Sequence, residues 1–538
     1  MLLNIKTRVI INSLVLICHT HPPLSKRLAI FARKLAEDVR ETLVSRNEYD
    51  ASLMRFLVMV IYMDPKKFKK IKDFEWEIPK SGKMRVPGKI FASETLIKEM
   101  DDKVWEQVSN VATLPGIQKA SIAMPDAHWG YGFPIGGVGA FDPEEGGIIS
   151  VGGVGFDINC GIVTLKTGLT FDEVRPKIKQ IINTLFDIVP AGLGSRGEVN
   201  LTASQVNEVL VTGAEWVVKN GYGLEEDLQF IEENGKVANA KPENVSQEAL
   251  KREKKQVGTL GSGNHYLELQ RIDEIYDEET AKKFGLGKDE IIISVHCGSR
   301  ALGHQIGTDY LKTLAEASRK YNIPILEKEL VCAPINSEEG QKYFSAVNCG
   351  INYAFANRQM IVYFLRNGFK KVFPDSELKM LYNIGHNTVK IEKHEVNGKM
   401  KKLYIHRKGA TRSFGPNRED LPKVYRGVGQ PVIIGGTMGT ASYILCGTDY
   451  GEKMAFGSVC HGAGRTMSRT EALRRWRGDR LIKELEAKGI CIKCHSFPGL
   501  AEEAPGAYKA VEEVVDAAHN ANLSKKVVRM RPIGTIKG

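Results

Sequence analysis

The sequence has few cysteines for its 538 residues, and the nine that it has are irregularly spaced. An odd, scattered set in a large chain is not typical of a disulfide framework. The pattern therefore predicts a reduced, cytoplasmic protein. The cysteines are Cys18, Cys160, Cys297, Cys332, Cys349, Cys446, Cys460, Cys491 and Cys494.

Long uncharged hydrophobic runs are also lacking. Residues 53–63 are apolar but include Arg55, and the run is too short to span a bilayer. Lys6 and Arg8 precede the apolar residues 9–18 in the manner of a signal peptide, but no small-residue cleavage site follows. We therefore predict no membrane association.

Two signatures of nucleotide chemistry are absent from the sequence. It contains neither a GxxxxGK[ST] phosphate loop nor the K-x-D-G motif that supplies a lysine nucleophile in many nucleotidyl transfers. A nucleotide, if one is used, must be held and attacked in another way.

No internal repeat or low-complexity linker divides the chain from Met63 onward. Many short strand patterns with interspersed helices predict one α+β domain of mixed sheets over residues 63–538. Residues 1–62 differ in character and are predicted to be a helical extension of unknown role, with Met63 a candidate for the true start.

Glycine and positive charge are abundant. The 53 glycines concentrate around polar motifs, and the net charge is +11 with a pI near 9.0. A hydrophobic content of 42% and a charged content of 26% are typical of a globular protein. The excess of positive charge suggests an anionic partner, for which nucleic acid is the obvious class.

Residues 151–162 read VGGVGFDINCGI and combine glycines with polar side chains. We predict a strand-like segment that brings Asp157 and Cys160 to one place. A buried carboxylate beside a buried thiol is costly unless a positive group lies between them, and a divalent metal is the simplest such group. The alternative is a glycine-rich core strand that ends in a turn capped by Asp157.

Five segments share a second pattern, in which an apolar run leads to a cysteine or histidine flanked by glycine or asparagine. One such histidine alone would usually be a hydrogen-bonded core residue. Together with Asp157, the set predicts a shared metal site. Cysteine and histidine favour zinc, whereas a carboxylate and substrate phosphates suit manganese, and a thiolate could bridge two ions. The five residues are Cys160, His265, His296, His386 and His461.

Basic residues stand close to these motifs in the sequence. Guanidinium groups grip phosphates, so the pattern favours an anionic substrate that reaches the metal. The alternative is ordinary surface charge. The residues are Arg300, Arg407, Lys408, Arg412, Arg465 and Arg469.

Other patterns are predicted to be structural. Residues 192–197 spell GxGxxG but lack a well-placed strand and helix, so a loop is expected. Residues 491–495 spell CxxCH within an ordinary helical context and are taken as incidental thiols. Asp126 and His128 are placed on a glycine-rich loop, and residues 393–405 on a hairpin with an Asn-Gly turn.

Hydrophobic periodicity adds three helices and one strand. The helices are expected at residues 93–111, 171–188 and 204–219. A β-branched run from residue 290 predicts a buried strand that ends at His296 and delivers this residue to a site.

Six motifs together resemble the RtcB family of RNA-splicing ligases. They read GGVGFDINCG, GSGNHYLEL, HCGSR, YNIGHN, HRKGATR and HGAGR, in this order along the chain. The similarity runs from about Met63 to Gly538, and an ordered set of six is far more specific than any single pattern.

The resemblance implies a GTP-dependent ligase that joins RNA ends bearing a 2′,3′-cyclic phosphate or 3′-phosphate to a 5′-hydroxyl, in tRNA splicing and RNA repair. It implies two manganese ions and a distinctive α/β arrangement around a central cleft. It further implies RNA, such as tRNA exon halves, as the substrate, a small activator called archease as a possible partner, and a cytoplasmic monomer.

The resemblance also assigns roles to individual residues. His461 would attack the α-phosphate of GTP and carry GMP. The metal ligands would be Asp157, Cys160 as the bridge, His265, His296 and His386. The guanine nucleotide would be held by Asn264, Glu268, Ser442, His461, Gly462, Ala463, Gly464, Tyr508 and Lys537. The resemblance does not assign the RNA contacts, and our own candidates for holding RNA phosphates are Arg300, Arg412 and Arg465.

Two other functions remain open from the residues alone. A metal-dependent nucleic-acid phosphoesterase would use the same ligands but leave His461 without a covalent role. A non-catalytic RNA-binding subunit would need only the basic residues. Retention of GMP after incubation with GTP and Mn²⁺ separates the ligase from both.

Overall fold

The computed structural model describes residues 68–253 and 255–538, which contain fifteen α-helices and nineteen β-strands. The predicted mixed α+β class is confirmed. The predicted extension over residues 1–62 lies outside the described residues. Among the described helices, none combines the length and the apolar composition that crossing a membrane requires.

The strands range in length from 3 to 14 residues. They are β1 Lys69–Lys72, β2 Glu75–Ile78, β3 Gly88–Phe91, β4 Ser121–His128, β5 Ile135–Phe141, β6 Ile148–Ser150, β7 Gly161–Thr170, β8 Tyr266–Ile275, β9 Glu290–Cys297, β10 Cys332–Pro334, β11 Lys379–Gly385, β12 Asn387–Val396, β13 Lys399–Lys408, β14 Ala410–Arg412, β15 Pro431–Ile434, β16 Ser442–Gly447, β17 Ser458–Cys460, β18 Cys491–Cys494 and β19 Ser524–Lys537.

The helices are interspersed with the strands. They are α1 Glu94–Lys98, α2 Asp102–Val111, α3 Phe171–Val174, α4 Ile178–Ile188, α5 Ala203–Thr212, α6 Ala214–Lys219, α7 Gln247–Glu253, α8 Glu278–Phe284, α9 Arg300–Lys320, α10 Glu338–Val372, α11 Asp449–Ala455, α12 Arg469–Arg475, α13 Gly478–Ala487, α14 Phe497–Glu502 and α15 Val511–Asn520.

Two large sheets organise the described part of the chain. The seven-stranded sheet has the order β1-β2-β3-β4-β5-β13-β12, with only β3 and β4 parallel. The eight-stranded sheet has the order β11-β7-β9-β8-β19-β16-β15, and β18 adds to β19 in parallel. Two small ladders, β6 with β10 and β14 with β17, complete the pairing.

Helix α10 is the central helix of the largest apolar core, and it packs against α4, α5, α6 and α9. Its ends follow the usual capping chemistry. The Ser337 hydroxyl accepts a hydrogen bond from the Gly340 amide, Glu338 is in the first turn, and Lys371 is in the last turn. Most of the helix is buried, which explains why its sequence lacks an obvious polar stripe.

Several local predictions are confirmed. Strands β12 and β13 form the expected hairpin, and Asn397 and Gly398 take the left-handed φ values of 51° and 77° that its two-residue turn requires. Strand β9 delivers His296 as expected. The helix predicted over residues 204–219 forms but breaks at Gly213, which has a φ of 59°.

Three local predictions are wrong. The segment before Asp157 is a 3-10 turn over Val151–Gly153 and a bend, because closely spaced glycines favour turns over a continuous strand. Asp126 lies within strand β4 and not on a loop. Residues 491–494 form strand β18, because they pair with the end of β19, a long-range contact that local helical pattern does not reveal.

Candidate active site

The eight-stranded sheet brings four of the predicted metal ligands together at the adjacent ends of four of its strands. Strand β7 begins directly after Cys160, and β8 begins directly after His265. Strand β9 ends one residue after His296, and β11 ends directly before His386. In the order β11-β7-β9-β8 all neighbours are antiparallel, so the starts of β7 and β8 lie beside the ends of β9 and β11. The topology thus brings together residues that are far apart in sequence.

The Cys160 sulfur lies at the centre of this cluster. It is 3.3 Å from Nε2 of His265 and 3.2 Å from Nε2 of His296. On one side, His265 Nε2 is 2.9 Å from Oδ2 of Asp157. On the other side, the Nε2 atoms of His296 and His386 are 3.1 Å apart. The donors form two three-residue sets that share Cys160, each with its atoms within 4.8 Å of one another.

Backbone carbonyls fix the orientation of two of these imidazoles. Nδ1 of His265 donates to the Leu260 carbonyl at 2.9 Å, and Nδ1 of His296 donates to the Asn264 carbonyl at 3.2 Å. A carbonyl only accepts, so Nδ1 carries the proton and the Nε2 lone pair is directed into the cluster. Metal-binding histidines are usually held in this way.

The electrostatics of the cluster also suit a cation. Burial lowers the pKa of His296 and of His386 well below the ordinary value, so both imidazoles are neutral. Burial and the neighbouring Asp157 raise the pKa of the Cys160 thiol. A bound divalent ion would stabilise the thiolate, and this donor set therefore fits a metal.

His461 lies against the cluster and is oriented by a buried carboxylate. Its ring centroid is 4.8 Å from that of His386. Nδ1 of His461 donates to Oδ2 of Asp126 at 2.7 Å, and the same oxygen accepts from the His461 amide at 3.1 Å. The proton therefore stays on Nδ1, and Nε2 keeps its lone pair. The role of Asp126 could not be predicted from the sequence, because its partner is 335 residues away.

A cavity joins His461 to the predicted nucleotide residues and also contacts His296. It brings together eight of the nine residues assigned to nucleotide binding. These are Asn264, Glu268, His461, Gly462, Ala463, Gly464, Tyr508 and Lys537.

Ser442, the ninth residue, lies behind the cavity wall. Its hydroxyl accepts from the Gln270 amide at 3.0 Å, and the same Gln270 nitrogen donates to Glu268 at 2.8 Å. The Ser442 hydroxyl also accepts from the Gly436 amide at 3.0 Å. Gln270, to which no sequence motif assigns a role, thus connects Ser442 to Glu268.

Glu268 is the buried acid of this cavity. Burial raises its pKa to about 7, although the nearby Lys537 ammonium opposes the shift. Its second oxygen accepts from the Thr535 hydroxyl at 3.3 Å. Lys537 faces the same region because β19 pairs with β8, with Thr535 opposite Glu268 and Lys537 opposite Tyr266.

Of the three candidate RNA-binding arginines, one lines the cavity and one lies beside Gly261 on the Asp157 side of the cluster. Arg465 lines it and donates to the Tyr508 hydroxyl at 3.0 Å, with the buried Glu503 at 3.3 Å. Arg300 begins helix α9 with a left-handed φ of 56° and donates to the Thr259 hydroxyl at 3.1 Å. A non-glycine residue in this conformation is strained, which is common at functional sites.

The structure contradicts the prediction that the third candidate, Arg412, binds RNA phosphates. Its side chain is only 3% exposed and forms ion pairs with Glu232 at 3.0 Å and Glu233 at 2.5 Å. A buried guanidinium already held by two carboxylates is not available to RNA phosphates.

The preceding basic residues of the same motif, Arg407 and Lys408, are buried as well. Arg407 is bound by both oxygens of Glu392, at 2.6 and 2.9 Å. Lys408 donates to the Phe133 carbonyl at 3.3 Å, and burial lowers its pKa to about 7. The motif HRKGATR is therefore basic in sequence, but its arginine and lysine side chains are buried in the protein.

These features define a class of protein. It is an α+β protein in which a cysteine–histidine–aspartate cluster, suited to metal ions, opens onto a cavity that contains a carboxylate-oriented histidine and a buried acid.

The family model described as "tRNA-splicing ligase RtcB" matches residues 107–538 of the chain. The chain belongs to this family, as the six motifs predicted.

Curated proteins of the same family are similar to this chain over most of its length. The tRNA-splicing ligase RtcB of Thermococcus kodakarensis is 53% identical over 476 residues, covering 87% of this chain and 98% of that protein. The tRNA-splicing ligases RtcB of Methanococcus maripaludis and Archaeoglobus fulgidus are each 50% identical, covering 87% of this chain and 99% and 98% of those proteins.

Proposed function

We propose that this protein is a GTP-dependent RNA ligase that joins ends bearing a 2′,3′-cyclic phosphate or 3′-phosphate to 5′-hydroxyl ends. RNA ligation in tRNA splicing follows from the family and from the names of the curated relatives. The observation that carries the finer proposal is His461, whose Nδ1 is held by Asp126 while its ring contacts the metal-type cluster.

The proposed metal site uses the residues of the cluster. Asp157, Cys160 and His265 would hold one ion, and Cys160, His296 and His386 the other. Two manganese ions suit this mixed set and a phosphate substrate. When bound, such ions supply neutralisation of phosphate charge and orientation of the groups that react.

His461 is the proposed nucleophile. Its Nε2 lone pair would attack the α-phosphorus of GTP, forming an N–P bond while the bond to the pyrophosphate oxygen breaks. Asp126 keeps the proton on Nδ1 and stabilises the positive charge that develops on the ring. The resulting phosphoramidate is reactive enough to pass GMP to an RNA 3′-phosphate.

Guanine recognition is assigned to Glu268. An ionised carboxylate can accept from both N1–H and the exocyclic amine of guanine, which adenine does not offer. Gln270 and Thr535 hold the two carboxylate oxygens in place. Lys537 and Arg465 add positive charge to the cavity for the nucleotide phosphates.

The RNA ends would meet at the same cluster. A cyclic phosphate is first hydrolysed to a 3′-phosphate, GMP then moves from His461 to that phosphate, and the 5′-hydroxyl attacks and displaces GMP. Arg300 and Arg465 are the proposed phosphate contacts. We also propose tRNA exon halves as substrates, archease as an activator, a monomeric state and a cytoplasmic location.

An RNA-joining assay tests the proposal. One RNA carries a 3′-phosphate and the other a 5′-hydroxyl, and the mixture contains MnCl₂ with either GTP or ATP. We expect a joined product with GTP only. Cleavage or dephosphorylation without joining, and without any dependence on GTP, would instead establish the phosphoesterase.

A further inference from the structure

A cluster of exposed arginines begins where the cavity ends. Arg465 and Arg469 line the cavity, and Arg469 is the first residue of helix α12. The next arginines are on α12 and at the start of α13. We call them the arginine ridge, which consists of Arg474, Arg475, Arg477 and Arg480.

The ridge is exposed and only half neutralised. The side chains of Arg474, Arg475 and Arg477 are 75%, 52% and 69% exposed. Arg474 and Arg475 share Glu471, at 3.8 and 2.7 Å, and Arg477 has Asp479 at 3.1 Å. Two carboxylates thus face four guanidinium groups, and exposed pairs of this kind exchange partners at little cost.

The arginines of the interior differ from the ridge in this respect. Arg407 and Arg412 are buried and fully engaged by Glu392 and by Glu232. The ridge therefore carries positive charge that is open to a polyanion, and helix α12 links it to Arg469 in the cavity lining. Arginine suits this role because its planar group binds phosphate oxygens in pairs.

The ridge is also held in place by an apolar core of its own. Leu481 and Leu485 on α13 are buried, and Trp476, between the two helices, packs against the same cluster. The backbone that carries the arginines is therefore fixed relative to the cavity, which reduces the entropy lost when a ligand binds.

We propose that the arginine ridge binds the sugar-phosphate backbone of the substrate RNA outside the ligation junction. This inference rests on the proposed RNA ligase function and extends it, because the junction itself lies at the metal cluster and His461. The ridge contacts phosphates and not bases, so its contribution is independent of RNA sequence and depends on salt.

The test compares Arg474→Gln/Arg477→Gln with a matched control, Lys282→Gln/Lys283→Gln. The control lysines are on α8, which follows the end of β8 that lies away from the cavity. The probe is a dye-labelled RNA that ends in a 3′-phosphate. Its affinity is measured by fluorescence anisotropy between about 50 and about 200 mM salt.

We expect the ridge variant to bind several-fold more weakly at low salt. Its slope of log affinity against log salt should fall by about 1.4 if the bound RNA is single-stranded and by about 1.8 if it is duplex. The control should match the wild type. Retention of GMP from GTP should be unchanged in both, because the cavity is intact.

A second pair, Arg475→Gln/Arg480→Gln, should behave in the same way. Wild-type affinity and slope in both ridge pairs, with normal circular dichroism, would overturn the inference. If the wild type itself retains no GMP, the proposed guanylylation fails, and the anisotropy result still decides the role of the ridge.

Discussion

At the scale of single residues, Asp126 has the most specific geometry in the site. One of its oxygens accepts from both Nδ1 and the backbone amide of His461. Asp126→Asn keeps the shape but allows the amide to donate to Nδ1, which selects the wrong tautomer. We expect GMP transfer to the enzyme to slow by on the order of 10²–10⁴-fold, measured in a single turnover with labelled GTP.

A matched control for this change is Asp142→Asn. Asp142 is also buried and pairs with Lys401 at 2.8 Å, but its partners belong to strand β13 and a surface turn. The control should transfer GMP at the wild-type rate. Rapid transfer in Asp126→Asn would contradict the positioning role of Asp126.

Glu268 predicts a pH dependence for GTP binding. Burial raises its pKa to about 7, so the folded protein holds the carboxyl proton until the pH rises through that value. Only the ionised form accepts both guanine donors. The KM for GTP in guanylylation should therefore rise about tenfold as the pH falls from one unit above this pKa to one unit below it.

Glu268→Gln provides the comparison for that profile. The variant has no titrating carboxyl, so its KM for GTP should be high at all pH values and nearly flat. An equally steep rise in the variant would assign the pH dependence to another group.

The sequence predicts single residues well where the chemistry is local. The ligand types and His461 stand in motifs that can be read directly, and the structure brings all of them together. Asp126 and Gln270 could not be assigned, because their roles depend on partners distant in the chain. The prediction that Arg412 binds RNA was wrong, because burial decides whether an arginine is available to a ligand and the sequence does not show burial.

At the scale of elements, the hairpin β12–β13 is attached to the strand that precedes His461. Arg407 on β13 binds Glu392 on β12 and donates to the Ser458 hydroxyl on β17 at 2.8 Å. Arg407→Ala would remove the guanidinium that binds both oxygens of the buried Glu392 carboxylate, and would leave that carboxylate only its contact with Nε2 of His394 at 2.9 Å. We expect a loss of about 3–5 kcal/mol in the free energy of unfolding, measured by urea denaturation.

Two variants test the cause of this loss. Arg407→Leu combined with Glu392→Leu removes both charges and should recover most of the stability. Lys283→Ala breaks the exposed pair with Glu279 and should change stability little. A small effect of Arg407→Ala would contradict the structural role of the buried pair.

Elements were predictable where one local signal dominates. The Asn-Gly turn fixed the hairpin, and the β-branched run fixed strand β9. The predictions for residues 151–153 and for residues 491–494 were wrong. Glycine geometry decides the conformation of the first segment, and pairing with the distant strand β19 decides that of the second.

At the scale of the whole molecule, the order of strands was beyond sequence reasoning. The site exists because β7, β8, β9 and β11 are neighbours, and their pairings join residues up to 224 positions apart, as for Gly161 and Gly385. Periodicity gives the strands but not their order.

The cluster joins the neighbouring ends of four strands, β7, β8, β9 and β11, so metal binding should stabilise the whole fold. Removal of bound metal with a chelator should lower Tm, and added MnCl₂ should restore it, because the unfolded chain binds metal poorly. Cys160→Ala should fold, contain little metal after dialysis and lose activity, with a Tm that the chelator does not change. Cys349→Ala, a buried cysteine on α10, should keep the wild-type response. Unchanged ligation by Cys160→Ala would contradict the metal assignment.

The covalent step is tested most directly by the intact mass of the protein after incubation with GTP and MnCl₂, compared between the wild type and His461→Ala. We expect an acid-labile gain equal to one GMP in the wild type and none in the variant. No gain in the wild type, even with an activator supplied, or an equal gain in His461→Ala, would contradict it.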